Sequence, residues 1–119
     1  MDIATAERAL ARQVAQLSGL ELDQTVRHGG GGLPDAAPLA CVRFVSGTTG
    51  QTALAEFVAE VRGVFAEPEE ALDFAAAVWG ALPRYGAEGF TELAAEREVE
   101  FAEHNGYYTA TGRIKAYFA

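Results

Sequence analysis

"VEFAEHNGYYTATGRIKAYFA", residues 99–119, decides the fold. Asn105-Gly106 stands where a two-residue type I′ hairpin turn needs positive φ at both central positions, and these two residue types reach that region most cheaply. Two strands therefore run back along each other from the turn, with His104 opposite Tyr107 and the register fixed outward from there. One face then pairs Phe101 with Ala110, Val99 with Gly112, Ala95 with Ala116 and Leu93 with Phe118. Its one misfit is Arg97 opposite Ile114. The other face pairs Glu100 with Thr111, Glu98 with Arg113 and Glu96 with Lys115. Apolar side chains meet apolar ones and acids meet bases, the pairings that stabilise neighbouring strands.

Upstream, "EPEEALDFAAAVWGALP" (67–83) predicts a helix. Pro68 falls in its first turn, where the missing N–H costs nothing, and Glu67, Glu69 and Glu70 suit the positive end of the helix dipole. Ala71, Phe74, Ala75, Val78 and Leu82 form the buried stripe, widened by Leu72 and Trp79, and Pro83 ends the helix. Before it, "TALAEFVAEVRG" (52–63) alternates as a half-buried strand, with Ala55, Phe57, Ala59 and Val61 on one face. "GTTG" (47–50) is a turn, and "LACVRFVS" (39–46) the preceding strand, with Ala40, Val42 and Phe44 on one face and Leu39, Cys41, Arg43 and Val45 on the other. "LELDQTVRH" (20–28) is a weak strand whose polarity places it at a sheet edge. A first helix spans 4–18: Ile3, Ala6, Leu10, Val14 and Leu17 recur at helical spacing, Glu7, Arg8, Arg12, Gln13 and Gln16 fill the other side, and Gly19 stops it. The expectation is one α+β domain over 1–119 in the order α-β-β-β-α-β-β: an antiparallel sheet of about five strands with both helices on one face.

The composition fits a globular chain: 119 residues, half of them apolar. Alanine supplies about a fifth of the chain, a compositional bias from which no function follows. The net charge of −8 comes from 17 acids against 9 bases, with Lys115 the one lysine. A face that binds nucleic acid must be cationic to displace phosphate counterions, so direct DNA or RNA binding is not expected. No apolar run reaches membrane-spanning length, and the N-terminal segment is an amphipathic helix without a basic leader. A single cysteine, Cys41, forms no intrachain disulfide and reads as a buried thiol in a reducing compartment.

The motif that invites a catalytic reading is "RHGGGGLPDAAP" (27–38). A phosphate-binding loop needs a lysine and a hydroxyl residue after its last glycine, then a helix whose N-terminus faces the phosphate. Leu33 and Pro34 follow instead, and the next element is a strand, so the stretch reads as a strand connection. His28 and His104 have no partners at metal-ligand spacing and read as solvated loop residues. Ser18 and Ser46 sit in no nucleophile elbow. A Cys41–His28 pair across adjacent strands is conceivable as nucleophile and base. Glu92, Glu96, Glu98 and Glu100 share a strand face, but the basic cross-strand partners of Glu96 and Glu98 point to a solvated, ion-paired surface and not to a split-pKa carboxylate pair. No cofactor and no catalytic residue is expected.

"LAEFVAEVRGVFAEPEEALDFAAAVWGALP" followed by the hairpin segment resembles the small phage tail terminator and tail-completion proteins, a group that includes phage minor capsid proteins. Those chains also begin with a helix, carry a long connection between their first two strands and end in a strand pair. The resemblance implies a non-enzymatic virion protein, assembled in the host cytoplasm, that forms a ring, usually a hexamer. That ring caps the tail tube and joins it to the head connector, so its partners are itself, the tube protein and the connector protein, with no membrane. It further implies that the connection His28, Gly29, Gly30, Gly31, Gly32, Leu33 and Pro34 is an assembly loop ordered by a neighbour. A second reading is an acidic dimeric secretion-type chaperone holding an unfolded client segment, although such chains close on a helix and this one closes on a hairpin. A third is a small-ligand or enzymatic α+β domain, for which Cys41, His28 and Tyr85 are the available chemistry.

Overall fold

The computed structural model describes residues 1–29, 37–49, 54–83, 87 and 89–119. The chain forms helix α1 (Ile3–Ser18), strands β1 (Val26–His28), β2 (Leu39–Thr49) and β3 (Ala55–Phe65), helix α2 (Pro68–Trp79), and strands β4 (Glu92–Ala95), β5 (Glu100–His104) and β6 (Tyr107–Phe118). At the start of α1 the Asp2 carboxylate accepts the Thr5 N–H at 2.7 Å, satisfying one of the amides a helix leaves free at its N-terminus. Gly19 closes α1 in the left-handed conformation, φ 77°. α2 has Pro in its first turn and stops at Trp79, with Gly80 as its cap, one turn short of Leu82.

The sheet runs β1-β2-β3-β6-β4, with β5 beside β4 on the same flank of β6. It is mixed where a purely antiparallel sheet was expected, because β1 lies parallel to β2, with Val26 opposite Ala40 and His28 opposite Val42. A parallel pair cannot be joined by a tight turn; the chain must travel back before the second strand starts. At the other end of β2 the strand continues through Thr49, opposite Ala55, so the expected turn at 47–50 gives way to a longer hairpin.

The Asn105-Gly106 turn is present, with φ 52° and 80°, and β5 takes the expected register from His104 opposite Tyr107 to Glu100 opposite Thr111. Beyond Glu100 the single long strand of the sequence reading is broken. Leu93 faces Ala116 and Ala95 faces Ile114, which corrects the pairings expected for residues 93–99. Five steps separate Ala95 from Glu100, against three between Ile114 and Thr111. The two extra residues remove the misfit: an apolar Ala95 takes the place opposite Ile114, and Arg97 turns out to solvent. An even insertion keeps Leu93 on the core side.

Both helices pack on one sheet face and touch each other. Leu10 and Val14 of α1, Phe74 and Val78 of α2, and Val42, Val61, Leu93, Ile114 and Phe118 of the sheet are all buried in this single layer. Phe118 stacks at 5.7 Å from Phe57, which lies 5.1 Å from Phe44. The Gly112 backbone lets α2 approach closely, since a Cβ there would stand 2.6 Å from the Trp79 ring. The Trp79 indole in turn donates to the Arg113 carbonyl at 3.3 Å.

Candidate functional site

The first residues of the glycine connection are held from α1. His28 ends β1 on the helix side of the sheet, half-buried, which corrects its reading as a solvated loop residue. Its Nδ1 lies 3.3 Å from Glu7 Oε1. The Arg8 guanidinium, which can only donate, lies 3.5 Å from Nε2. Nε2 is therefore the accepting nitrogen and Nδ1–H donates to Glu7. The second Glu7 oxygen accepts the Phe44 N–H at 3.0 Å, beside the bulge where Val45 is the extra residue between Phe44 and Ser46. Arg8 is itself fixed by two bonds to Asp23, at 2.8 and 2.7 Å. Gly29 continues the β1 ladder by donating to the Val42 carbonyl at 3.1 Å, then leaves the strand with φ 97°.

These contacts fix the orientation of the His28 ring. Both ring nitrogens of His28 are engaged, and His28 and Cys41 project from opposite faces of the sheet: Val26 and His28 lie on the helix side, while Arg27 and Cys41, paired with each other, lie on the other. A Cys41–His28 nucleophile pair is thereby ruled out. Gly30, Gly31, Gly32, Leu33, Pro34 and Tyr85 lie outside the described residues. His104 is exposed next to the hairpin turn. Among the described residues, no three or more His, Cys, Asp or Glu side chains gather where they could hold a metal ion. No helix among them is long and apolar enough to cross a membrane. Glu7 and Arg8, assigned to the outer side of α1 by periodicity, turn out to be the anchors of the connection. Periodicity sorts faces, and it has no signal for a carboxylate that caps a strand bulge.

On the sheet face away from the helices, Cys41 is half-buried rather than fully buried. Burial raises its thiol pKa, opposed by the positive charges of Arg27, Arg62 and Arg43. Glu60 bridges two of these, at 3.5 Å from Arg43 and 3.6 Å from Arg62. The cross-strand row through Cys41 reads Arg27, Cys41, Arg62, Thr111, Glu100. Along this row the bases stand on β1 and β3 and the acid on β5. Ten of the 17 acids lie at or beyond Glu67, against four of the nine bases. At the acidic end an apolar groove of about 310 Å³ runs between α2 and β5, lined by Pro68, Ala71, Leu72, Phe101, Ala102 and Tyr108, with Glu103 at its edge. Leu72 is 55% and Phe101 47% exposed, although the sequence reading had Leu72 widening the buried stripe and Phe101 on the apolar face of the hairpin, opposite Ala110.

No protein-family model and no curated protein matches the sequence. Among solved structures, the chain is similar to one from the virion of a native gene transfer agent particle. The two are 19% identical and superpose with a TM-score of 0.62 over 98% of each chain. At that identity the likeness shows a shared fold, from the first helix to the last strand.

Proposed function

We propose that this protein is a structural component of a phage-like virion, and that within it the chain acts as a tail terminator: a ring that caps the tail tube and presents a surface to the head connector. The observation that carries the reading is the end-to-end fold match to a chain of a gene transfer agent virion, covering 98% of both. It agrees with the resemblance to tail terminators drawn from residues 54–83 and 99–119, which rests on different information. A terminator performs no bond chemistry. Its work is steric and electrostatic: one ring face matches the last ring of tube protein, and the other offers no site for a further subunit.

The anchored start of the glycine connection suits such a role. His28 and Gly29 are fixed to α1 and β2, so a segment leaving them starts from a defined place and direction. In the terminator reading, residues 28–34 meet the adjacent subunit or the tube. The test is assembly. The tail-tube protein of the same particle, polymerised alone, should give tubes of indefinite length. Adding this protein should halt growth and place a ring at one end of each tube under negative stain. Tubes that keep growing, or a stable dimer that instead captures an extended peptide, would reject the terminator in favour of the chaperone reading.

A further inference from the structure

We propose that the free edge of β5 takes up an extended segment of another polypeptide as an added antiparallel strand, one that carries a lysine or arginine two positions before a large apolar residue. The inference goes beyond the terminator reading and does not depend on it. Strand pairing fixes what this edge presents. The two-residue turn makes His104 and Tyr107 a hydrogen-bonded pair, and by alternation Ala102 with Thr109 and Glu100 with Thr111 are hydrogen-bonded pairs too. The N–H and C=O groups of Phe101 and Glu103 therefore point away from β6. β3 fills the other flank of β6, and β4 pairs with β6 farther along. Among the described residues no strand covers β5, and all five of its residues are exposed.

The opposite edge of the sheet is closed. β1 pairs with Ala40–Val42 of β2, and Gly29 donates to the Val42 carbonyl at 3.1 Å. The Phe44 N–H beyond them is taken by the Glu7 carboxylate at 3.0 Å, and the bulge at Val45 follows. Covering strands, side-chain caps and bulges are the devices that keep an edge from pairing with another chain. β5 has no bulge in its register. Among the described residues no group caps the outward amides of Phe101 and Glu103.

The side chains beside these amides select the occupant. Phe101 and Glu103 lie on the helix side, opposite Ala110 and Tyr108. Phe101 and Leu72, each about half exposed, border the groove against α2 and leave a seat for one large apolar side chain. Glu103 stands two positions on, and Glu69 and Glu70 lie in the first turn of α2, next to Pro68 of the groove. No base lines the groove. Arg62 shares a separate hollow with Glu100 and Glu103, where Glu60 at 3.6 Å and Thr111 at 3.3 Å hold it. Residues two apart on a strand share a face, so an antiparallel strand that meets Phe101 and Glu103 together offers an apolar residue and, two positions earlier, a base. Main-chain bonds supply the affinity and these two side chains the selectivity. Within the chain, Arg43 and Val45 have this spacing, but on the closed edge. Arg97 and Val99 have it too, yet laying them on β5 of a second copy sets Glu100 against Glu100, and like charges directly opposite are unfavourable. The added strand therefore comes from another polypeptide.

The test uses the full chain and the peptide Thr-Thr-Lys-Thr-Leu-Thr-Thr, blocked at both ends, whose threonines favour an extended strand. In amide exchange followed by NMR, the peptide should slow exchange at Phe101 and Glu103 and leave Ala102 and His104, already bonded to β6, unchanged. Three further peptides separate the contributions: glutamate for the lysine, serine for the leucine, and N-methyl-leucine, which keeps the side chain and removes the N–H that faces β5. Each should bind about tenfold more weakly. Glu103→Lys, at an exposed position, should keep the circular dichroism spectrum, lose the lysine peptide and gain the glutamate peptide. Equal binding of any control peptide, protection at other amides in place of Phe101 and Glu103, or no binding at millimolar peptide would each overturn the proposal. So would a second copy already seated on β5, seen as a doubled mass by light scattering that Glu103→Lys changes. The expected stoichiometry is one peptide per subunit with no dimer required, which sets the site apart from the chaperone reading. A protein that binds the peptide in this way and leaves tube growth unchanged would lose the terminator role and keep the site.

Discussion

At the scale of the residue, charge and backbone conformation are combined in Asp23. It adopts a positive φ of 67°, a region that Asp and Asn enter more readily than other side chains. Its carboxylate is held below the usual range, chiefly by the hydrogen bond from Arg8 and also by the charge of that guanidinium. Replacing Asp23 by Asn keeps the backbone tolerance and removes the charge. Since the folded pKa is depressed, the contribution of Asp23 is complete above its unfolded value near 3.8 and is lost as pH falls through the lower folded value. Asp23→Asn should therefore lower the melting midpoint at neutral pH, and the two proteins should converge as pH falls through the lower folded value. A gap that persists unchanged at pH 2 would show that the ion pair is not its source. The turn makes the same point without charge. Asn105 and Gly106 both hold positive φ, which costs an ordinary side chain about 1–2 kcal/mol per residue. Asn105-Gly106→Ala-Ala should lower the melting midpoint by several degrees, and an unmoved midpoint would refute the turn.

At the scale of the element, local chemistry was legible and long-range compensation was not. The Asn-Gly turn, the Pro-started helix and the alternation of β3 each declare themselves within a few residues. The break between β4 and β5 does not. Its one trace was Arg97 opposite Ile114, a charged residue that a continuous strand would have pushed into the core. A lone charge on an apolar face can mark an insertion as well as a misfit, and here two extra residues turn it out. The direction of β1 was equally hidden, because a three-residue strand carries no signal for the sense in which it pairs. At the candidate site, His28 was picked out for its place beside the glycines, whereas its anchors lie some twenty residues away in α1 and are joined to it only by the fold. Where elements meet, Gly112 of β6 is the tightest constraint that sequence alone could not rank. A methyl group there would lie 2.6 Å from Trp79, far inside van der Waals contact, and overpacking of this kind costs about 1–3 kcal/mol. Gly112→Ala should lower the urea midpoint and shift the emission of Trp79, the one tryptophan of the chain. Unchanged emission would mean that the ring is not seated on β6.

At the scale of the whole molecule, the fold buries one side of the sheet under two helices and leaves several large apolar side chains outside it. Folding alone gives no reason for Leu72 and Phe101 to be apolar. They sit at 55% and 47% exposure while Leu93, on the preceding strand β4, is 1% exposed. A residue selected for the core resists truncation; one selected for binding does not. Leu93→Ala should cost about 2–5 kcal/mol by urea unfolding, the usual loss for a buried leucine reduced to a methyl group. Leu72→Gln with Phe101→Gln should change the stability of the isolated subunit by no more than about 0.5 kcal/mol per site, as for other exposed positions. The two substitutions should still abolish binding of the extended peptide. A large stability loss in the double variant would mean that the groove is an imperfect part of the core.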